Sequence, residues 1–202
     1  MDLSVKQALA KWPNVPAVYG WLSLDERGRW RIHERGDATE GGPGETITNA
    51  QIVAFINRNY AADEQGRWYF QNGPQRVYVR LDVAPYLLRV ADTGPGLVTH
   101  TGQTVDAVLA WWLDDSGRLY AETDLGAGLI DGRDMASVLA SLRLQPGAVA
   151  LLDALERNDD DAQDAVWHVS HPHYHARAPL HRDGRAGELG IRLGFLANPL
   201  PE

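Results

Sequence analysis

Asp63-Glu64-Gln65-Gly66-Arg67-Trp68-Tyr69-Phe70-Gln71-Asn72-Gly73-Pro74-Gln75-Arg76-Val77-Tyr78-Val79-Arg80-Leu81 decides the fold class. From Arg76 to Leu81 the side chains alternate, so Val77, Val79 and Leu81 fall on one face of a strand and Arg76, Tyr78 and Arg80 on the other. Asn72-Gly73-Pro74 is turn chemistry, and the aromatic run Trp68-Tyr69-Phe70 before it reads as the preceding strand. Within Asp63 to Arg67, Gly66 supplies the positive φ that a tight hairpin turn requires.

The same pattern, Asp-(Glu/Asp)-x-Gly-Arg, occurs on either side of this stretch. It returns as Asp25-Glu26-Arg27-Gly28-Arg29 and as Asp114-Asp115-Ser116-Gly117-Arg118, each flanked by aliphatic or aromatic residues. The adjacent carboxylates are read as turn residues, not as an acid–base pair, because neighbouring side chains on a strand point apart. After the first and third copies come a loop, a polar cap and an apolar helical stripe. Thr48 or Asn49 precedes Ile52, Val53, Phe55 and Ile56, and Asp131 precedes Met135, Ala136, Val138 and Leu139. The expected fold is α+β: mostly antiparallel sheets with a few packing helices, built from a strand-hairpin-strand-helix unit used twice. The two halves are expected at residues 1–92 and 93–202, tightly packed, with a ligand groove between them.

Other segments fill in this outline. Residues 2–11 read as a short amphipathic helix, and residues 149–155 as a second helix after the one at Asp131. The glycine-rich residues 36–45 read as a solvated, mobile connection, and residues 166–176 and 188–195 as closing strands. Gly126-Ala127-Gly128-Leu129-Ile130-Asp131 has two glycines of a dinucleotide fingerprint but a carboxylate where the third would stand. It is read as a turn ending in a helix cap. Trp21, Trp30 and Trp68 are expected in the core with one of Trp111 and Trp112. The other of that pair is the candidate aromatic platform of the ligand groove.

Gly66-Arg67-Trp68-Tyr69-Phe70 and Asn72-Gly73-Pro74-Gln75-Arg76-Val77-Tyr78-Val79 resemble proteobacterial proteins grouped as a domain of unknown function, over roughly residues 20–90. More distantly the chain is similar to an uncharacterised family with a duplicated α+β core whose second half looks pleckstrin-homology-like. That resemblance implies a signalling or ligand-binding role and brings no catalytic residues with it.

Composition narrows the function classes. In 202 residues there is no cysteine, which excludes disulfides, thiolate nucleophiles and cysteine-ligated metal, and fits a reducing, cytoplasmic setting. A net charge of −8, without obvious clustering of basic residues, argues against nucleic acid as partner. No signal-peptide pattern opens the chain and no apolar run approaches the ~20 residues of a membrane span, so a soluble protein is expected. There is no Gly-x-Ser-x-Gly elbow and no P-loop.

Five of the seven histidines lie at 168, 171, 173, 175 and 181. On an extended strand His171, His173 and His175 would project from one face, a spacing that suits a shared zinc, nickel or iron ion, with Glu188 or Asp183 as further ligands. The alternatives are an exposed edge strand packed with Trp167 and Tyr174, or a surface that gains charge on acidification. Three functions follow. The preferred one is a non-enzymatic, regulatory module binding a small molecule or peptide without a cofactor; the others are a metal-dependent enzyme and a structural or assembly protein.

Overall fold

The computed structural model describes residues 1–156, 166–185 and 187–201, so the acidic run Asp159-Asp160-Asp161 lies outside the described residues. The fold is α+β, and the chain divides into two compact units, residues 1–85 with 190–202 and residues 86–189.

The first unit opens with α1 (Leu3–Lys11), whose N-terminus is fixed by Asp2: its amide donates to Asn59 Oδ1 at 2.8 Å and its carboxylate accepts from Arg58. Then follow β1 (Val18–Leu24), β2 (Trp30–Ile32), β3 (Glu45–Thr46), α2 (Ala50–Arg58), β4 (Tyr60–Ala62), β5 (Trp68–Asn72) and β6 (Gln75–Leu81). The sheet order is β3-β2-β1-β6-β5-β4, antiparallel except for the central pair β1 and β6. Register aligns the apolar alternates. Leu22 pairs with Ile32 and Val79, Leu24 with Trp30 and Leu81, and Phe70 with Tyr60 and Val77, so these residues share one sheet face. α2 lies against that face, its Phe55 ring edge-on to Phe70 at 5.5 Å. Asn49 caps it, accepting the amides of Gln51 and Ile52.

All three Asp-(Glu/Asp)-x-Gly-Arg copies are hairpin turns of one geometry. Gly28, Gly66 and Gly117 have φ of 74°, 73° and 79°. At each turn the aspartate Oδ1 accepts two backbone amides, two and four residues on: Arg27 and Arg29, Gln65 and Arg67, Ser116 and Arg118. The Arg29 and Arg67 Nε groups then donate to the second oxygen at 2.8 Å. The acidic residue is therefore held as the turn's acceptor.

Residues 36–45 depart from the mobile connection anticipated. Ala38–Glu40 form a 3-10 turn, Arg80 Nη1 donates to the Ala38 carbonyl at 2.9 Å, and Arg31 donates to the carbonyls of Pro43 and Gly44. Asn198 Nδ2 donates to the Thr39 carbonyl. The glycines serve close approach: a Cβ on Gly44 would lie 2.6 Å from His33 Nε2. A backbone that comes so near needs donors for its carbonyls, and the two arginines supply them.

After α5 (Leu189–Arg192), where a strand was anticipated, the chain rejoins the first unit. Leu196 donates its amide to the Gly66 carbonyl and bridges Arg67 in parallel, and Leu81 donates to the Ala197 carbonyl at 2.8 Å.

The second unit contains β7 (Tyr86–Val90), β8 (Leu97–Thr99), β9 (Val108–Asp114), β10 (Leu119–Thr123), β11 (Gly126–Ile130), α3 (Gly132–Ser141), β12 (Arg143–Gln145), β13 (Val149–Ala150), α4 (Leu151–Glu156), β14 (Trp167–Ser170) and β15 (Ala178–Gly184). Its sheet runs β13-β12-β14-β15-β9-β10-β11-β7-β8. Residues 126–130 form a strand, not the anticipated turn, because a Cβ at Gly128 would meet Leu88 Cγ at 2.5 Å across the parallel β11–β7 pair. Asp131 caps α3 as expected. Both sheets share a succession. A hairpin's first strand, β1 or β9, pairs in parallel with a later strand, β6 or β15, and a helix separates the two halves of the sheet.

Candidate functional site

α2 packs on the first sheet through aromatic contacts and leaves a cavity beside them. Near the C-terminus of α2, Trp30 sits edge-on to Tyr60 at 5.0 Å, Tyr60 tilts against Trp68 at 4.8 Å, and the Trp30 indole donates to Asn57 at 2.7 Å. Beneath Ile52 and Ile56 of α2 the layer opens into a cavity of about 430 Å³. Its floor is the cross-strand row Val18, Val77 and Phe70, with Leu22 beside it. Its roof is Ile52 and Ile56, one helical turn apart, with Ile47 leading into the helix.

The mouth is apolar as well. Trp21 is 45% exposed, Ile52 48% and Ile32 36%, although Ile56 in the same helix is buried. Trp21 is thus not the core residue anticipated, whereas Trp30 and Trp68 are. The β1–β6 register shifts between Val18 and Leu22, in the segment that carries Trp21. Asn72 and Gln75, paired at the end of the β5–β6 hairpin, provide the polar rim.

The opposite face of this sheet carries a hydrogen-bonded relay. Ser23 Oγ lies 2.8 Å from His33 Nε2, and His33 Nδ1 lies 3.3 Å from Asp37 Oδ1. Burial lowers the His33 pKa, opposed by the hydrogen bond to Asp37 and reinforced by the charges of Arg80 and Arg31, so the imidazole is neutral near pH 7. The connectivity is that of a hydrolase triad, but Ser23 and His33 are fully buried and no carbonyl substrate can reach the hydroxyl. What the relay does is tie β1 and β2 to residues 36–45.

The sequence candidates fall in the second unit. His171, His173 and His175 lie not on a strand but in the connection between β14 and β15, where Pro172 interrupts the ladder. His171 is buried, stacked on Trp111 at 6.0 Å and tilted against Tyr174 at 5.1 Å, while His173 and His175 are exposed. His171 Nδ1 accepts the His173 amide at 3.2 Å. Burial, with the neighbouring His173 charge, pushes the His171 pKa down to about 4. Among the described residues no three histidine or carboxylate side chains converge as a metal site. Trp111 and Trp112 are both buried, so both faces of β9 are covered there, and Trp112 stacks on His181 at 4.0 Å.

Sequence reasoning missed the cavity and the relay. The cavity had one signal: Ile52, Val53, Phe55 and Ile56 form a wide stripe on a nine-residue helix that contributes one buried hydrophobic side chain. The relay had none, since Ser23, His33 and Asp37 meet only once β1 and β2 pair.

A family model described as "Protein of unknown function (DUF2946)" matches residues 1–200. No curated protein matches the chain. Among solved structures, a DUF1285 family protein from Silicibacter pomeroyi DSS-3 is similar at 17% identity over 90% of this chain and 88% of that one, with a TM-score of 0.53, which is a likeness of fold. A DUF1285 family protein from Shewanella baltica OS155 shares 14% identity over 58% of this chain and 89% of its own, with a TM-score of 0.43.

Proposed function

This chain belongs to the family described as protein of unknown function (DUF2946), and we propose that it is a non-enzymatic binding module whose ligand occupies the cavity between α2 and the first sheet. The observation that carries this reading is the cavity itself: about 430 Å³, apolar, with Trp21, Ile32 and Ile52 held partly exposed at its mouth. Pockets of roughly 300–1,000 Å³, lined by apolar groups with a few polar ones, are the usual form of small-molecule sites. The proposed site lies within the first unit, in place of the groove between halves that the repeat suggested. The shared strand succession of the two sheets supports an internal duplication.

Titration with N-phenyl-1-naphthylamine, an uncharged dye that brightens in apolar surroundings, tests the reading. The expected result is saturable one-to-one binding that Ile52→Trp, which fills the cavity from its mouth, weakens by about ten-fold or more without changing the circular dichroism spectrum. Absence of saturable binding, or equal binding by the Ile52→Trp protein, would overturn it.

A further inference from the structure

Resting on that binding reading, we infer that the ligand class is an uncharged, largely aliphatic or aryl molecule with one hydrogen-bonding end, a hydroxyl or an amide, and not a carboxylate, phosphate or amine.

The lining decides the charge. Nine of the eleven residues around the cavity are apolar, and Asn72 and Gln75 are neutral amides. An ionised group taken out of water needs an opposite charge or several hydrogen bonds to offset its lost hydration, and this lining holds no charge to give.

Several arginines elsewhere in the unit are already engaged. Arg58, in the last turn of α2, is bound to Asp2, and Arg31, Arg67 and Arg80 are paired with Asp25, Asp63 and Asp82. Arg76 stands over the Tyr69 ring at 4.6 Å, on the sheet face opposite Val77. No cation lines the cavity among the described residues, so an anionic ligand finds no counter-charge in its wall.

The rim decides the end group. Gln75 Nε2 donates to the Pro16 carbonyl at 3.3 Å, and its Oε1 meets no donor among the described residues. The exposed Asn72 amide stands beside it, so the rim offers a donor and acceptors. A hydroxyl or amide satisfies both kinds, whereas a carboxylate only accepts. The volume suits a molecule on the order of a dozen heavy atoms.

The test is displacement of N-phenyl-1-naphthylamine at pH 7.5 by 1-decanol, decanoate and decylammonium, which share a chain and differ in charge. We expect 1-decanol to bind about ten-fold or more tightly than either ion. Asn72→Ala with Gln75→Ala should weaken 1-decanol by roughly three- to ten-fold, as loss of a hydrogen bond does. Ile52→Lys, a cation at the exposed mouth, should shift preference towards decanoate. Decanoate binding the unaltered protein as tightly as 1-decanol would overturn the inference while leaving the cavity a binding site. Failure of the dye and all three decyl probes would instead sink the binding reading. A dimer in sedimentation analysis that Ile52→Lys dissociates would assign the mouth to a second copy, and overturn both.

Discussion

Ser23 and His33 meet inside the first unit, hydroxyl to Nε2 at 2.8 Å, both completely shielded from solvent. Ser23→Ala should leave a buried imidazole nitrogen without its partner and lower stability by about 1–3 kcal/mol, measured by urea unfolding. Hydrolysis of p-nitrophenyl acetate should not change. A variant that kept its stability but lost esterase activity would make Ser23 a nucleophile, and the strut reading would fall.

Acid should destabilise the protein in two stages. Burial pushes His100 down to about 3, and burial with the His173 charge pushes His171 to about 4, both below the ordinary 6.5. Between those values and 6.5 the unfolded chain binds more protons than the folded one. Stability therefore rises with pH through that window and is level above it. The second stage lies lower. Desolvation opposes ionisation of Asp25 and Asp63, but the amides and arginines of their own turns outweigh it and hold both carboxyls below 3.8. Their stabilisation is complete above that value and is lost only as pH falls further. Urea midpoints at pH 7, 5.5 and 4.5 should decline in that order, and His171→Gln should flatten the decline; a flat profile for the unaltered protein would refute this.

Trp30 is buried and Trp21 half-exposed at the cavity, so the two should respond differently. Trp30 is 2% exposed and donates to Asn57, so Trp30→Ala should cost about 3–5 kcal/mol. Trp21 is 45% exposed, and Trp21→Ala should change stability by less than about 1 kcal/mol. The same change should weaken dye binding several-fold, because it removes one wall of the mouth. Equal stability losses in the two variants would show that Trp21 is a core residue after all.

Local patterns carried much of this fold. Alternation from Arg76 to Leu81 and the three Asp-to-Arg turns are short-range physics, and both appear in the structure as read. The same holds for Asn49 and Asp131 as caps. Where the reading failed, a residue type had two meanings that only a distant neighbour resolves. The glycines of residues 36–45 looked like freedom but serve contact with His33, and Gly128 looked like a turn but makes room for Leu88. Trp21 looked like core because its strand is apolar; the register irregularity beside it is not written in the residue types. The sequence puts His171, His173 and His175 on one extended strand, limited by Pro172 to an edge or bulge, whereas they lie in the connection between β14 and β15. A cavity is harder still, since it is the volume that Ile52, Val77 and Phe70 fail to fill once helix and sheet have met.

The return of residues 196–198 to Gly66, Leu81 and Thr39 bears on the order in which the chain can fold as it is made. Domains are commonly completed from the N-terminus during synthesis. Here residues 86–189 leave the ribosome with all of their own strands, while the unit begun at Leu3 waits for a segment that emerges more than a hundred residues after Leu81. The unit begun first is thus the one whose hydrogen bonds are completed last, although none of residues 196–198 lines the α2 cavity.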